Sequence, residues 1–598
     1  MEKKAKKSLH PGFWILTILV AALWFFYLEI NKNSIFGWIQ SLVVFLVYIT
    51  ISIKLLRGKK WYLRLGAFLL LLVLLWAVGQ GTLGPYKAHD AVVGGNGAVT
   101  GVITLPDGQL TGVYTPDGAV EVYAGIPYAK PPVGDLRWRE PQDPEPWDGV
   151  LAADHFAPMS MQPQNAAWYG SMAQIIGYHD YEISLDDNFR DLNSEDALYL
   201  NIWKPAGEQR DLPVLVYVHG GSLQTGQPWY ADYRGEGLAR KGVIVVNMGY
   251  RLGVFGFLAD EELLAESPNG TTGNYGLLDQ IKALEWVRDN IAAFGGDPDN
   301  VTLAGESAGA ACVSALCTSP LARGLFRRVI AESSTTTAPQ PAHSFQLLED
   351  GLAAGRQIKE RFGVSSIQEL RQLDAQTLVA AADRIHHMTV DGYVLPETPY
   401  ESYRRGVHNE EAILHGFNAQ EGTAFILFDN ANQKNYADKV SRMFGALTED
   451  ALSLYPAVDD AQAKQNWIDL YSAYFFSYGH YCWSRQAASC GVPCYEYYFT
   501  KENGRLGPWH SGEEVYCYGN IPASSRLYDE SDRALSEIFC SYFANFCKTG
   551  DPNGPGLPPF APTADGRTVL ELGDQVAPVS DPYLPIYELF DKKYDFGN

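Results

Sequence analysis

A serine lies in a glycine-flanked turn near the middle of this 598-residue chain. The turn reads Gly305-Glu306-Ser307-Ala308-Gly309, follows the β-branched run 300–304 and leads into the alanine-rich helical pattern 308–316. A strand, tight turn and helix in this order project the serine oxygen at a helix N-terminus, where it can attack an electrophilic carbon. The alternative is an ordinary capping serine, because G-x-S-x-G alone recurs by chance. The context favours Ser307 as a nucleophile.

A serine becomes nucleophilic when a base removes its proton, and an acid must orient that base. After such a turn, the acid and then the histidine follow in chain order. His510 lies in the glycine-containing loop "GPWHSGEE", directly after the aromatic run 495–500. His480 lies within the aromatic helical pattern 471–483, which is typical of a buried histidine. We therefore predict His510 as the base.

The acid is less sharply defined by spacing. Glu421 lies in "HGFNAQEGTAF", just past a short strand that ends at His415, so a loop at a strand end would present it. Asp391 and Asp429 lie in the same part of the chain and remain alternatives on spacing alone. Glu421 is the candidate acid.

Backbone N–H groups in a glycine-rich turn can stabilise the oxyanion that forms when an ester carbonyl is attacked. The segment "HGGS" at 219–222 follows the apolar run 213–218 and supplies Gly220 and Gly221. Ala308, the residue after the nucleophile, supplies a third N–H group. Glycines of a flexible loop are the alternative explanation. We predict an oxyanion hole at these three residues.

These residues require a sheet that brings their turns together. Short β-branched runs such as "PVLVYV" (213–218) and "VIVVNM" (243–248) alternate with helical patterns, as in a mostly parallel sheet covered on both faces. Between 277 and 294 the apolar residues recur on one helical face. The predicted fold is α/β.

Three apolar segments precede this body, at about 12–30, 35–53 and 61–79. Each approaches the roughly 20 residues that a helix needs to cross a bilayer. We predict a membrane anchor at 1–80, a glycine-rich tether at 81–100 and one catalytic domain at 101–598. Core helices of a soluble protein are the alternative.

Charge is unevenly distributed along the chain. Residues 1–90 carry eleven Lys and Arg against three acids. The remaining 508 residues carry 35 Lys and Arg against 66 acids, so the body is strongly acidic and the whole chain has a net charge of −23. An acidic body argues against a nucleic-acid partner, since nucleic-acid binding requires a basic face. Cations before the first apolar segment and between the second and third predict a cytoplasmic N-terminus. Three crossings then place the body outside the cytoplasm.

The body resembles the type-B carboxylesterase family, which includes carboxylesterases, cholinesterases, para-nitrobenzyl esterases and the non-catalytic neuroligins. The similarity runs from about Val113 to about Leu572. The motifs that carry it are "AGIPYAKPPVGDLRW" (124–138), "SEDALYLNIW" (194–203), "YVHGG" (217–221), "YRLGVFGFL" (250–258), "GNYGLLDQIKALEWVRDNIAAFGGDPDNVTLAGESAGA" (273–310), "GFNAQEGTAF" (416–425) and "FCKTGDPNGPG" (546–556).

This resemblance implies an α/β-hydrolase fold in which Ser307, Glu421 and His510 form the catalytic triad. It also implies an oxyanion hole at Gly220, Gly221 and Ala308. No metal or organic cofactor is implied.

The chain departs from the family in three segments. Ala197 stands where secreted animal members have a cysteine, and "APMSMQ" (157–162) lacks its partner, so that disulfide is absent and a bacterial host is expected. The acidic, non-aromatic "LDDNF" (185–189) argues against choline esters, because no tryptophan is present there to hold the cation. "AESSTT" (331–336) replaces the usual "QSG" and leaves the acyl pocket undefined. No pairing is assigned to the eight cysteines.

The sequence thus predicts a membrane-anchored serine hydrolase that cleaves small-molecule carboxylic esters through an acyl-enzyme and contacts lipid through its N-terminal helices. The alternative from another class is a surface adhesion or receptor protein similar to the neuroligins, with the fold but no catalysis. A transport or signalling role for the three helices is a third hypothesis, although they contain few ionisable groups.

Overall fold

The structure is a computed structural model, and it describes residues 11–84, 86–87, 92, 97–163, 190–341, 344–381, 387–427, 429–502, 507–523 and 525–596. The lysines before the first apolar segment, most of the predicted tether and the segment 185–189 lie outside these residues. The chain folds into two compact units. The first comprises Met1–Ala88 and Gln164–Leu192, and the second comprises His89–Pro163 and Asn193–Asn598. The predicted domain boundaries stay a prediction.

In the first unit, three helices are long and apolar enough to cross a membrane: α1 (Pro11–Ile30), α2 (Ile35–Lys54) and α3 (Trp61–Gly81). They match the predicted segments to within two residues at each end. Phe45, Leu71 and Leu75 form their small buried cluster. The Trp24 indole N–H donates to Ser41 Oγ at 2.8 Å and adds a polar tie between α1 and α2.

The strands are short and lie mostly in the second unit. They are β1 (Tyr86–Lys87), β2 (Ile103–Leu105), β3 (Gly108–Thr111), β4 (Val113–Tyr114), β5 (Val120–Pro127), β6 (Val150–Ala152), β7 (Met159–Ser160), β8 (Arg190–Asp191), β9 (Asn193–Ser194), β10 (Tyr199–Pro205), β11 (Leu212–Val218), β12 (Ile244–Met248), β13 (Gly296–Glu306), β14 (Arg328–Glu332), β15 (Phe345–Leu347), β16 (Met388–Val390), β17 (Ala412–Asn418), β18 (Cys494–Phe499), β19 (Thr568–Leu572) and β20 (Val576–Ser580).

Eleven of these strands form the central sheet of the second unit, in the order β20-β19-β18-β17-β14-β13-β11-β12-β10-β5-β4. The pairs from β12 through β11, β13, β14, β17 and β18 to β19 are parallel, whereas β10, β5, β4 and β20 pair antiparallel at the two edges. The predicted α/β fold with a mostly parallel sheet is confirmed. Because parallel strands end at the same edge, the turns after β11, β13, β17 and β18 converge there.

The remaining described α-helices lie in the second unit. They are α4 (Glu236–Arg240), α5 (Gly253–Phe257), α6 (Glu261–Glu266), α7 (Tyr275–Asn290), α8 (Ala308–Leu316), α9 (Leu348–Phe362), α10 (Ile367–Arg371), α11 (Ala375–Ala381), α12 (Pro399–Arg404), α13 (Tyr436–Phe444), α14 (Thr448–Leu454), α15 (Asp460–Ser472), α16 (Tyr478–Cys490), α17 (Glu514–Cys517), α18 (Glu530–Thr549) and α19 (Leu584–Tyr594), with a π-helical turn at Ala473–Ser477 between α15 and α16.

Burial explains why these runs form central strands. Val214, Val216 and Val218 of β11 are fully buried, as are their neighbours on β12, so both faces of these strands are covered. A continuous β-branched run is typical of such a strand. The strand that was predicted to end at His415 is longer in the structure, because β17 continues to Asn418 through pairing with β18. The eight cysteines all lie among the described residues, and none forms a disulfide.

Candidate active site

Ser307 lies in the turn between β13 and α8 with φ 54° and ψ −124°, a backbone conformation that residues other than glycine rarely adopt. The turn depends on its glycines. A Cβ on Gly305 would lie 2.6 Å from the carbonyl carbon of Gly309, and a Cβ on Gly309 would lie 2.0 Å from the carbonyl oxygen of Val218. The Ser307 N–H donates to the carbonyl of Glu332 at 2.8 Å and ties the turn to β14.

His510 lies beside this serine. Its Nε2 atom is 2.8 Å from Ser307 Oγ, although 203 residues separate the two along the chain. Both side chains are largely buried, with 9% of Ser307 and 8% of His510 exposed. The ring of His510 also contacts Phe476 in the π-helical turn and Phe425, with centroid distances of 4.6 and 5.1 Å. A base in this position can accept the serine proton.

Glu421 lies on the other side of the imidazole. Its Oε2 atom is 2.6 Å from His510 Nδ1, and its Oε1 atom accepts the backbone N–H of Asn418 at 2.7 Å. The side chain is fully buried in the 3₁₀ turn Glu421–Thr423 that follows β17. Serine, histidine and glutamate therefore form one hydrogen-bonded row.

The two loops that carry His510 and Glu421 are held together by hydrogen bonds. Gln420 N–H donates to the carbonyl of Pro508 at 2.9 Å, and the Asn418 side-chain amide donates to the carbonyl of Trp509 at 2.8 Å. These contacts connect the ends of the neighbouring parallel strands β17 and β18. They hold Glu421 next to His510, although the two residues lie 89 positions apart in the chain.

The two alternative acids lie elsewhere. Asp391 Oδ1 accepts three backbone N–H groups, from residues 393–395, and thereby closes its own turn. Asp429 pairs with Lys439 at 2.5 Å on an exposed surface. The structure brings neither of them to the imidazole of His510.

Two of the predicted oxyanion donors, Gly220 and Ala308, lie next to Ser307, and Gly221 follows Gly220 in the same loop. A Cβ on Gly220 would lie 2.9 Å from Ser307 Cβ, so this glycine packs directly against the serine. Gly221 has φ +102°, and a Cβ there would lie 2.1 Å from the carbonyl of Thr225. Ala308 begins α8, where the first backbone N–H groups of a helix lack partners within it. The arrangement can stabilise negative charge next to Ser307.

The 219–223 loop is held by Tyr250. Its hydroxyl donates to the carbonyl of His219 at 2.8 Å, and its ring stacks on the imidazole of His219 at 4.5 Å. Ser222 and Leu223 follow with φ of 57° and 60°. Residues in this strained conformation persist only when their surroundings impose it.

Sequence reasoning missed two acids near His510. Glu306 Oε1 lies 3.2 Å from His510 Nε2 and accepts the Ser511 hydroxyl at 2.7 Å. Glu513 accepts the Ser333 hydroxyl at 2.9 Å and the side-chain amide of Asn418. The position of Glu306 inside the serine motif was the available signal. Nothing in the sequence pattern singles out Glu513.

Burial dominates the electrostatics of these carboxyl groups. It raises the pKa of Glu306 to about 7, and the charge of His510 opposes this increase. Burial and then the nearby Glu421 raise the pKa of Glu513 to about 7. Burial raises the pKa of Glu421 above its ordinary value, against the N–H of Asn418 and the hydroxyl of Ser333. The negative charges of Glu513 and Glu421 add to the effect of burial at Glu306, because like charges oppose each other's ionisation.

Among the described residues, no group of three or more His, Cys, Asp or Glu side chains is arranged to hold a metal ion. The groups that the structure brings together at this turn are the Ser307 hydroxyl, the His510 imidazole, the Glu421 carboxyl group and the first backbone N–H group of α8, a set that can support attack on a carbonyl carbon.

Comparison with known proteins agrees with this chemistry. Residues 99–584 match the carboxylesterase family. The chain is 36% identical over 496 residues to fumonisin B1 esterase of Sphingopyxis macrogoltabida, covering 78% of this chain and 86% of the relative. It is 31% identical to para-nitrobenzyl esterase of Bacillus subtilis, covering 80% of this chain and 96% of that protein.

Solved structures show the same similarity. A carboxylesterase of Geobacillus stearothermophilus aligns with a TM-score of 0.69 at 31% sequence identity, covering 82% of this chain and 99% of its own. A para-nitrobenzyl esterase structure aligns with a TM-score of 0.68 at 29% identity, with the same coverage. The alignments cover nearly the whole length of these relatives, so this chain has their α/β-hydrolase fold.

Proposed function

The chain belongs to the carboxylesterase family of ester hydrolases, and we propose that Ser307, His510 and Glu421 carry out its reaction while three N-terminal helices anchor it in a membrane. The observation that supports the catalytic assignment is the row of two hydrogen bonds, 2.8 Å from Ser307 Oγ to His510 Nε2 and 2.6 Å from His510 Nδ1 to Glu421 Oε2. Its order matches what a serine nucleophile requires.

Acylation begins when Ser307 Oγ attacks the ester carbonyl carbon and its proton passes to His510 Nε2. The carbonyl oxygen becomes an oxyanion, which the N–H groups of Gly220, Gly221 and Ala308 stabilise. Glu421 stabilises the imidazolium that has formed. The tetrahedral intermediate then breaks its bond to the alkoxy group, which takes the proton from His510 and leaves as the alcohol.

Deacylation repeats these steps with water. His510 Nε2 removes a proton from a water molecule as its oxygen attacks the acyl carbon, and the oxyanion forms again at the same N–H groups. When this intermediate collapses, Ser307 Oγ leaves and recovers its proton from His510. The carboxylic acid is released and the enzyme returns to its starting state.

The anchor proposal rests on α1, α2 and α3, which are long and apolar enough to cross a bilayer. Their outer surfaces are consistent with lipid contact, because large apolar side chains such as Ile18, Leu23 and Val73 are exposed. An exposed apolar surface on helices of this length is costly in water and favourable in hydrocarbon.

The test of the catalytic assignment uses the full chain in detergent, with a neutral nitrophenyl ester and a fluorophosphonate probe. We expect Ser307→Ala to lose probe labelling and to lower kcat by about 10⁴-fold or more, since the nucleophile has no substitute. Ser453→Ala, at an exposed serine on α14, is the matched control and should behave like the parent. Parent-like turnover by Ser307→Ala would overturn the assignment.

A further inference from the structure

The residue after the proposed base has an unusual backbone. Ser511 has φ +67°, in the left-handed region that glycine occupies without strain. A serine in this conformation costs more energy than a glycine, and strain of this kind concentrates where a side chain is needed. The Ser511 side chain has one clear use in the structure, because its hydroxyl donates to Glu306 Oε1 at 2.7 Å.

That same carboxylate oxygen faces the base. Glu306 Oε1 lies 3.2 Å from His510 Nε2, the nitrogen that is also 2.8 Å from Ser307 Oγ. Glu306 is 4% exposed, and its other oxygen lies close to Gly220, where a Cβ would approach it to 2.7 Å. Glu306 therefore has little freedom to turn away from the imidazole, and the Ser511 hydroxyl fixes the oxygen that faces it.

Other ionisable groups surround Glu306 from several elements, and most of them disfavour its negative charge. His510 is the neighbouring group that can carry a positive charge. Groups that add negative charge, or that would on ionising, are Glu332 on β14, Glu421 after β17, Glu513 beside α17, Glu514 on α17, Tyr217 on β11, Tyr233 before α4 and Tyr250 after β12.

We propose that Ser511 is a positioning residue whose hydroxyl keeps Glu306 anionic and directed at His510 Nε2, so that Glu306 stabilises the imidazolium formed during ester cleavage. This inference rests on the proposed catalytic role of Ser307 and His510. A hydrogen bond to a carboxylate favours its charged form, and an anion next to an imidazole favours the imidazolium.

The electrostatics of Glu306 make a single hydrogen bond decisive. Burial raises the pKa of Glu306 to about 7, and the Ser511 hydroxyl is among the groups that lower it. A carboxyl group that titrates near neutral pH changes its ionised fraction greatly when one such bond is removed. Loss of the Ser511 hydroxyl should therefore leave Glu306 mostly protonated at neutral pH.

Two consequences follow together. With Glu306 neutral, the imidazolium of the transition state loses an attractive partner, so kcat/KM at neutral pH falls. Because Glu306 itself ionises near pH 7, the rise of kcat/KM on the acid limb includes the ionisation of Glu306, and loss of the hydroxyl raises the pKa of Glu306 and moves that rise to higher pH. A residue with a merely structural role would lower the plateau and leave the acid limb in place.

The experiment measures kcat/KM from about pH 4.5 to 9 for the full chain in detergent, with a neutral ester whose hydrolysis is followed by released acid. Ser511→Gly removes the hydroxyl and relieves the backbone, whereas Ser511→Ala removes the hydroxyl and keeps the strain. We expect both to move the acid limb to higher pH by about 0.5 to 1 unit and to lower kcat/KM at neutral pH about three- to tenfold. Agreement between them assigns the effect to the hydroxyl.

The same measurement in Glu306→Gln tests the route. Because glutamine does not ionise, Glu306→Gln should lower kcat/KM at neutral pH at least as far, and adding Ser511→Gly should neither lower it further nor move the limb. The inference is overturned if both serine variants leave the limb in place, or if Ser511→Gly shifts it equally with and without Glu306. Failure of the proposed function has a different signature, which is parent-like hydrolysis by Ser307→Ala.

Discussion

His415 and His480 contact each other through their Nδ1 atoms, 2.7 Å apart, inside the second unit. Both are fully buried, and His415 Nε2 lies 3.0 Å from Ser484 Oγ and 3.1 Å from Cys494 Sγ. Burial lowers the pKa of both imidazoles. His480, the other histidine that follows Glu421 in the chain, is thus part of a packed polar cluster between β17, α16 and β18.

This arrangement gives His480 surroundings different from those of His510, so we expect their replacement to have different effects. We predict that His510→Ala lowers kcat about as far as Ser307→Ala, because members of a catalytic triad act as a unit and their losses do not add. His480→Ala should reduce thermal stability, since it removes a buried partner of His415, while kcat per folded molecule stays within about tenfold of the parent. Steady-state kinetics alongside thermal unfolding of both variants checks this, and the reverse pattern would identify His480 as the base.

The identity of the acid can be tested in the same way. We predict that Glu421→Gln keeps the fold and lowers kcat about 10³- to 10⁴-fold, because an amide neither fixes the imidazole tautomer nor stabilises its charge. Asp429→Asn is the matched control, since Asp429 pairs with Lys439 at the surface. Comparable losses in the two variants would contradict the assignment of Glu421.

Buried carboxyl groups predict an unusual dependence of stability on pH. The pKa of Glu513 is about 7 in the folded protein, against 4.5 for an exposed glutamate, mainly because of burial. Between these two values the folded state binds more protons than the unfolded state, so this group's contribution to the free energy of unfolding falls as pH rises.

Glu513→Gln mimics the protonated form and removes this dependence. We expect the free energy of unfolding of Glu513→Gln to match that of the parent near pH 5 and to exceed it at about pH 8 by on the order of 1 to 3 kcal/mol. Glu530→Gln, at an exposed position in α18, should show no such pH-dependent difference. An advantage for Glu513→Gln that is largest at the acidic end would reverse the sign and contradict the argument.

The charge distribution predicts an active site outside the cytoplasm. Short loops rich in Lys and Arg stay on the cytoplasmic side, because inserting each such residue into hydrocarbon costs about 2.5 to 3.5 kcal/mol. The loop between α2 and α3 carries Arg57, Lys59 and Lys60, whereas the loop after α1 carries Lys32 alone. A charged, membrane-impermeant fluorophosphonate should therefore label Ser307 in intact cells. Labelling that appears only after lysis would mean that the orientation is inverted.

The three N-terminal helices and the predicted catalytic domain at 101–598 should be separable. We predict that a truncated protein beginning at Gly97 is soluble and hydrolyses esters at a rate within about tenfold of the full chain, since the sheet that carries the site begins beyond this residue. A second truncation beginning at Gly84 keeps β1, the parallel partner of β8. Activity in the longer protein alone would assign β1 a structural role, and aggregation of both would contradict a purely anchoring function.

The sequence alone determined the local architecture of this protein. Gly305 and Gly309 predict the tight turn at Ser307 because a side chain at either position would collide with neighbouring backbone. The runs at β11 and β12 predict buried parallel strands because residues covered on both faces must be apolar. The three N-terminal segments predict helices for a similar reason, since length and composition alone decide whether a segment suits a bilayer. All of these are properties of adjacent residues.

The tertiary structure decided which distant side chains meet. Spacing left Glu421, Asp391 and Asp429 as alternatives, and only the resemblance to a known family favoured Glu421. The contact itself depends on the pairing of β17 with β18, which brings the Glu421 loop to His510. The serine motif places Glu306 next to Ser307, but no sequence pattern predicts that Glu306 Oε1 approaches His510 Nε2 or that the Ser511 hydroxyl donates to it. Periodicity reports burial along one element, whereas these contacts depend on strand order and on how loops from different strands pack at one edge of the sheet.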